Sequence, residues 1–283
     1  MKKSTIMKNT TLYGLLFFVL LIFLGPYIWM FMTAVKSQGD VMVWPPKIFP
    51  SEFHWENFLK IWQETNLPRA FFNSFIVAVI ATAINVFLSS LAAFAFARLT
   101  FPGRNKLFLM VLATMMIPSG LMVVPLFFMM KNMPFSGPNG WLDSYPALIL
   151  PFAVTGFAIF LLRQNFLTVP RELDEQATID GCNKFQIFWR IILPLNKPGL
   201  ALVAIFSFLS HWNEYLWPLT VARSQEMYTI QIALKAFQTQ YNIDWPMIMA
   251  GATTAALPMI LLYFVLQPLF EQGLGGMGST GKE

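Results

Sequence analysis

The 283-residue chain is 56% hydrophobic and only 12% charged, which leaves too little polar surface to cover a water-soluble fold and places the chain in a membrane. A single cysteine, Cys182, excludes an internal disulfide framework, and two histidines, His54 and His211, are too few to build a metal cluster. The formal charge of +5 is scattered singly between apolar runs and never forms a block, which argues against nucleic acid and for loops flanking membrane spans.

A helix needs about 20 apolar residues to cross roughly 30 Å of hydrocarbon. Six such runs occur, at about 12–34, 72–97, 107–130, 145–162, 199–219 and 246–270. They lack the alternation of barrel strands, so the expectation is an all-α integral membrane bundle of six helices in one transmembrane domain. Lys2, Lys3 and Lys8 ahead of the first run could open a signal peptide. The run exceeds the roughly 7–15 apolar residues of a signal, and Gly25, Pro26, Tyr27, Ile28 and Trp29 lead to no small-residue cleavage site, so it reads as an uncleaved first span.

The side richer in Lys and Arg stays in the cytoplasm. With the amino terminus inside, 12 of the 19 basic residues are cytoplasmic: Lys2, Lys3, Lys8, Arg98, Arg104, Lys106, Arg163, Arg171, Lys184, Arg190, Lys197 and Lys282. Both termini are therefore expected inside. The external loop 35–69 carries Trp44, Pro45, Pro46, Trp55 and Trp62, suited to anchoring at the membrane surface or to touching a partner. Pro118, Pro125, Pro151 and Pro258 fall inside runs, where each permits a kink or packs against neighbours.

The loop 163–198 is far longer than a usual helix connection and must have structure of its own. Pro170 suits a first helical position, and Glu172, Asp174 and Glu175 put acid at the positive end of a helix dipole. Gly181 suits a left-handed turn, so a short helix over about 171–180 is expected. Beyond it Phe185, Phe188, Trp189 and Ile192 share one face of a second helix, which Pro194 is expected to end before Pro198 opens the fifth span.

Glu175-Gln176-Ala177, Gly181 and Ile191-Ile192-Leu193-Pro194 resemble the EAA signature of ABC importer permeases, in spacing as well as in residues. Gln176 replaces an alanine of the triplet, and Cys182 stands where a small residue is usual. Val169 to Glu175 resembles the "IPxELxEAA" approach of the carbohydrate branch, the second permease of the maltose type. Trp212 to Leu219 resembles its "WN(D/E)xxWPL", and Gln267 to Leu274 its "QRxFxxGL" with Pro268 at the usual arginine.

The resemblance implies the permease subunit of an ATP-driven sugar importer, in the inner cell membrane of a prokaryote, working by alternating access. It implies a coupling helix that seats in an ATPase subunit, with Glu175, Ala177, Asp180, Gly181, Leu193 and Pro194 as the coupling residues. The alternative for that element is a helix fastening the bundle to the membrane surface. The implied partners are a second related permease, two ATPase subunits and an extracytoplasmic sugar-binding protein. ATP and magnesium would lie in the ATPase subunits, with no cofactor on this chain and no hydrolysis by it.

Glu214 is the one carboxylate in or at the edge of a run, where a charge is costly and usually functional. With Trp212 and Asn213 it is the candidate substrate path; the alternative is an interfacial aromatic belt of Trp212, Tyr215 and Trp217 with Glu214 in water. The tail Gly276 to Lys282 matches GxxxxGK, but Glu283 follows the lysine and no strand precedes, so no phosphate loop is assigned. An ion-coupled secondary transporter is the rival function, and Glu214 is its only candidate ion ligand. A purely structural membrane protein would leave the 175–194 signature without a use.

Overall fold

The computed structural model describes residues 2–63, 65–134, 138–240 and 243–278, which contain helices and connections and no strand. Helix α1 (Lys2–Ala34) leads through α2 (Gln38–Val41) and α3 (Glu56–Gln63) to the long α4 (Leu67–Arg98). Then come α5 (Arg104–Thr114), α6 (Ser119–Lys131), α7 (Tyr145–Ile149), α8 (Gly156–Thr168) and the short α9 (Glu172–Ile179). An arm made of α10 (Lys184–Ile187), a π-helical turn over Phe188–Ile192 and α11 (Leu193–Leu195) leads into α12 (Lys197–Asn213). The chain continues through α13 (Leu216–Val221), α14 (Ile230–Gln240) and α15 (Trp245–Gly278).

Three stretches, Leu12–Ala34, Leu67–Arg98 and Trp245–Leu269, are long and apolar enough to cross a membrane unbroken. Three bent pairs meet the same test as single broken spans: Arg104–Thr114 with Ser119–Lys131 at 99°, Tyr145–Phe152 with Gly156–Thr168 at 48°, and Lys184–Leu195 with Lys197–Asn213 at 80°. The third expected run is thus not one straight helix. It breaks ahead of Pro118, which has no N–H to carry the ladder onward. The fifth run is interrupted at Glu214, whose backbone is extended. Gly276 to Gly278 of the glycine-rich tail belong to α15, and residues 279–283 lie outside the described residues.

The chain divides into two compact units, Met1–Pro68 with Ala233–Leu257, and Arg69–Ile232 with Pro258–Glu283. In the first, the 18-residue apolar window of α1 has no buried residue, as befits a helix surrounded by lipid or partner. Its end is pinned by Asn57, whose Nδ2 donates to the carbonyls of Ala34 and Lys36, each at 2.9 Å. Lys36 is buried with its ammonium 4.6 Å above the Trp29 ring, and burial lowers its pKa against the pull of Asp40.

The second unit has two buried clusters. One gathers Phe94, Leu162, Phe166, Ala177, Ile187, Phe188 and Ile192, and so joins α4, α8, α9 and the arm. The other gathers Val77, Met130, Leu148, Ile149, Trp217 and Val221, with the Trp217 indole donating to the Ala147 carbonyl at 2.9 Å.

Candidate functional site

Helix α9 carries acid in its first turn and is closed at its far end by a glycine turn. Pro170 precedes the helix instead of occupying its first turn; Glu172, Asp174 and Glu175 fill that turn. At the other end Gly181 takes φ +84°. Its N–H donates to Thr178 O at 3.1 Å and the Cys182 N–H to Ala177 O at 2.8 Å, the paired bonds of a Schellman motif. A Cβ on Gly181 would meet nothing within 4 Å, so the backbone angle and not space demands glycine. Ala177 is buried in the first cluster with Cys182 packed beside it, while Glu175, Asp180 and Gly181 are exposed. One face of α9 is thereby seated on the core and the acidic remainder is presented outward.

The arm departs from the expected apolar stripe. Phe188 and Ile192 are buried with Ile187, but Phe185 and Trp189 are 62% and 53% exposed, their rings stacked at 6.4 Å. Nor does Pro194 end the helix. The π turn, in which the Leu193 N–H donates to Phe188 O, widens the backbone just before the proline ring would press on the preceding turn. The stop comes at buried Asn196, whose Nδ2 caps the Ile192 carbonyl at 2.7 Å. Leu193 packs against the first cluster and Pro194 is exposed.

Arg98 entered the sequence reading only as a topology marker, yet its side chain is 3% exposed and ties three helices together. Its Nη2 donates to the carbonyls of Phe166 and Val169, each at 2.6 Å, and Nη1 lies 3.5 Å from Asp174 Oδ2. The end of α4 is thus joined to the end of α8 and the first turn of α9. Nothing in one-dimensional spacing links position 98 to position 174.

A cavity of about 430 Å³ opens where three helical runs are interrupted. Ser119 and Gly120 line it from the start of α6, Phe152 and Thr155 from the α7–α8 break, and Glu214 and Leu216 from the α12–α13 break. Asn85 of α4 is buried at its wall, donating to Thr155 Oγ at 3.3 Å and Ser207 Oγ at 3.1 Å and accepting the Thr155 N–H at 3.2 Å. Of the three residues expected on a substrate path, only Glu214 reaches this cavity. One of its carboxylate oxygens accepts the Trp217 N–H at 3.1 Å and so caps α13. Trp212 is buried between Phe208, stacked at 5.6 Å, and Phe71, edge-on at 5.4 Å; Asn213 is exposed at the end of α12. Among the described residues no group of three or more His, Cys, Asp or Glu could hold a metal ion.

The profile of the family described as binding-protein-dependent transport system inner membrane component matches residues 85–276, most of the chain and all of the coupling loop and cavity. The chain belongs to this family. The arabinooligosaccharides transport system permease protein AraQ of Bacillus subtilis is 34% identical over 271 residues, 94% of each chain. The diacetylchitobiose uptake system permease protein NgcG of Streptomyces coelicolor is 32% identical over 260 residues, 90% of this chain and 82% of that one. A bacterial ABC transporter involved in the import of the acidic polysaccharide alginate shares the fold, with a TM-score of 0.81 at 23% identity over 94% of this chain and 98% of that one. The chain is a membrane permease subunit of an ABC importer, and the 175–194 signature is the family's own. These likenesses give the ion-coupled alternative no support.

Proposed function

We propose that the chain is one half of a saccharide pore, powered by ATPase subunits that grip α9. The observation that carries this reading is the construction of α9: an exposed acidic helix seated on the core through Ala177 and locked at Gly181. A helix held from behind moves as one body with the spans beneath it, which a partner needs in order to push the pore. Glu175 and Asp180 offer charge to that partner, Gly181 sets the turn, and Leu193 and Pro194 brace the arm behind it. The partners are a second permease, two ATPase subunits that hold ATP and magnesium, and an extracytoplasmic sugar-binding protein. The distribution of Lys and Arg supports both termini on the cytoplasmic side.

Saccharide as cargo is favoured by the relatives named above for arabinooligosaccharides and diacetylchitobiose and by one from Rhizobium radiobacter named for lactose. The test is a complex of the full-length chains in proteoliposomes, offered labelled arabinotriose, diacetylchitobiose and lactose with ATP inside. ATP-dependent accumulation of at least one is expected. Accumulation of none, in a complex whose ATPase still responds to the binding protein, overturns the saccharide assignment.

A further inference from the structure

The cavity at the helix breaks holds more hydrogen-bonding capacity than the fold consumes. Asn85 is committed to structure through Thr155, Ser207 and Ser89. Three groups remain. Ser210 Oγ and the second carboxylate oxygen of Glu214 make no hydrogen bond among the described residues. His211 gives Nδ1 to the Ser207 carbonyl at 2.7 Å, while its Nε2 is buried with no partner in bonding geometry, although the Phe152 carbonyl lies beside the ring.

Ser210 is exposed and Glu214 half-buried, so the costly atom is the buried Nε2 of His211: a polar atom without a partner inside a membrane bundle marks a path or a site. Interrupted helices point the same way, since non-helical backbone at membrane depth is tolerated where it lines a cavity. The same lining includes the rings of Phe152, Phe157, Phe206 and Trp217. Flat apolar faces beside a few converging polar groups match the two-sided chemistry of a sugar ring, C–H faces and hydroxyls. The volume falls within the roughly 300–1,000 Å³ of ligand pockets. The lining carries one carboxylate and no Lys or Arg, so an anionic cargo would be repelled.

We propose that this cavity holds a neutral saccharide unit in transit through Ser210, His211 and Glu214, so that the chain carries a sugar site of its own instead of only walling one on a companion permease. This rests on the saccharide reading above, and the two fail differently. In proteoliposomes, Ser210→Ala and His211→Ala should each lower uptake of the saccharide that the wild type carries by about tenfold, the scale of one lost hydrogen bond. Gly120→Leu is a second route, because Gly120 lines the cavity and a Cβ there meets nothing within 4 Å, which leaves room for a side chain that narrows it. It should abolish uptake while the ATPase subunits still co-purify. Binding is read apart from transport by placing a cysteine with Ser210→Cys in a Cys182→Ala chain. The transported saccharide should slow maleimide labelling there, and glycerol 3-phosphate should not. Wild-type uptake in all three variants, or labelling that saccharide leaves unchanged, overturns the proposal alone; a wild type that carries no saccharide overturns it together with the reading beneath it.

Discussion

Around α9 a buried guanidinium bridges three helices, although its Nε and Asp174 Oδ1 are left without partners, whereas at the cavity Ser210, the Nε2 of His211 and one oxygen of Glu214 bridge nothing. Arg98 is used on two carbonyls and a carboxylate, and Gly181 closes a helix whose last carbonyls are taken. At the cavity, by contrast, Ser210, His211 Nε2 and one oxygen of Glu214 face open space. The two regions share helices, since α4 and α8 contribute to both. The difference suits the proposed lever and chamber: the part proposed to receive force is tied between helices, and the part proposed to handle cargo keeps hydrogen-bonding groups in reserve.

The comparison breaks most severely at Arg98. Arg98→Ala leaves the half-buried Asp174 without its partner and uncovers the Phe166 and Val169 carbonyls, an expected loss of about 3–5 kcal/mol. Thermal unfolding of the purified complex should show it as a large drop in Tm. Arg98→Lys keeps the charge but not the planar fork, so it should recover only part of the loss. Next in size is Gly181→Val, which forces a β-branched residue to φ +84° at a cost of about 1–3 kcal/mol. ATPase stimulation by the binding protein should fall with it. Gly181→Asn should be far milder, because asparagine tolerates the left-handed region, and a Val-like loss in that variant would mean that space and not backbone angle sets the requirement.

A smaller effect lies at the other end of the broken span. Asp143 sits at φ +60° and accepts the N–H groups of Arg223 and Ser224 at 2.8 and 3.0 Å. Burial pushes its pKa up, yet these bonds outweigh it and the net value lies below the ordinary carboxylate range. Its stabilisation is therefore complete above the unfolded value of about 4 and lost as pH falls through the lower folded value. Protease cleavage after Arg223 should rise on acidification below about pH 4. In Asp143→Ala it should be raised already at neutral pH, by about 1 kcal/mol of lost local stability. Asp143→Asn keeps the turn and an acceptor and should flatten the pH response.

How much of this was legible depends on the range over which each signal acts. The apolar runs, the acidic first turn at Glu172 and the left-handed Gly181 are local and could be read from neighbouring residues. The break at Met115 to Pro118 was hidden because its flanks are as apolar as the helices, and only Pro118 hinted at it. The expected stripe lies a little off the buried side, which centres on Ile187, Phe188 and Ile192 and leaves Phe185 and Trp189 at its exposed edge. The cavity was out of reach: Asn85, Thr155 and Ser207 are brought together by tertiary packing, and no spacing announces them. Trp212 was attractive as a sugar platform, but a large ring between Phe71 and Phe208 is core.

The mildest change, and the one that separates docking from folding, is Glu175→Lys. Glu175 is exposed, so its reversal should alter the chain's own stability by no more than about 0.5 kcal/mol. Some of that is the loss of a negative charge in the first turn of α9, where the helix dipole favours acid. Ala177, the Schellman closure and the Arg98 link are untouched, so α9 should keep its place on the core. What changes is the field offered to a partner: complementary charge speeds association and holds register, and reversing one member adds repulsion. ATPase subunits should then dissociate faster from the Glu175→Lys permease. Because exposed charges are screened over about 8 Å at physiological ionic strength, the defect should shrink as salt is raised. Glu175→Gln should fall between the two at low salt. Subunit retention measured across a salt series decides it. Loss of retention that is independent of salt would mean that the substitution disturbs α9 itself, and retention equal to wild type at low salt would remove Glu175 from the contact while leaving Gly181 and Arg98 to carry the lever.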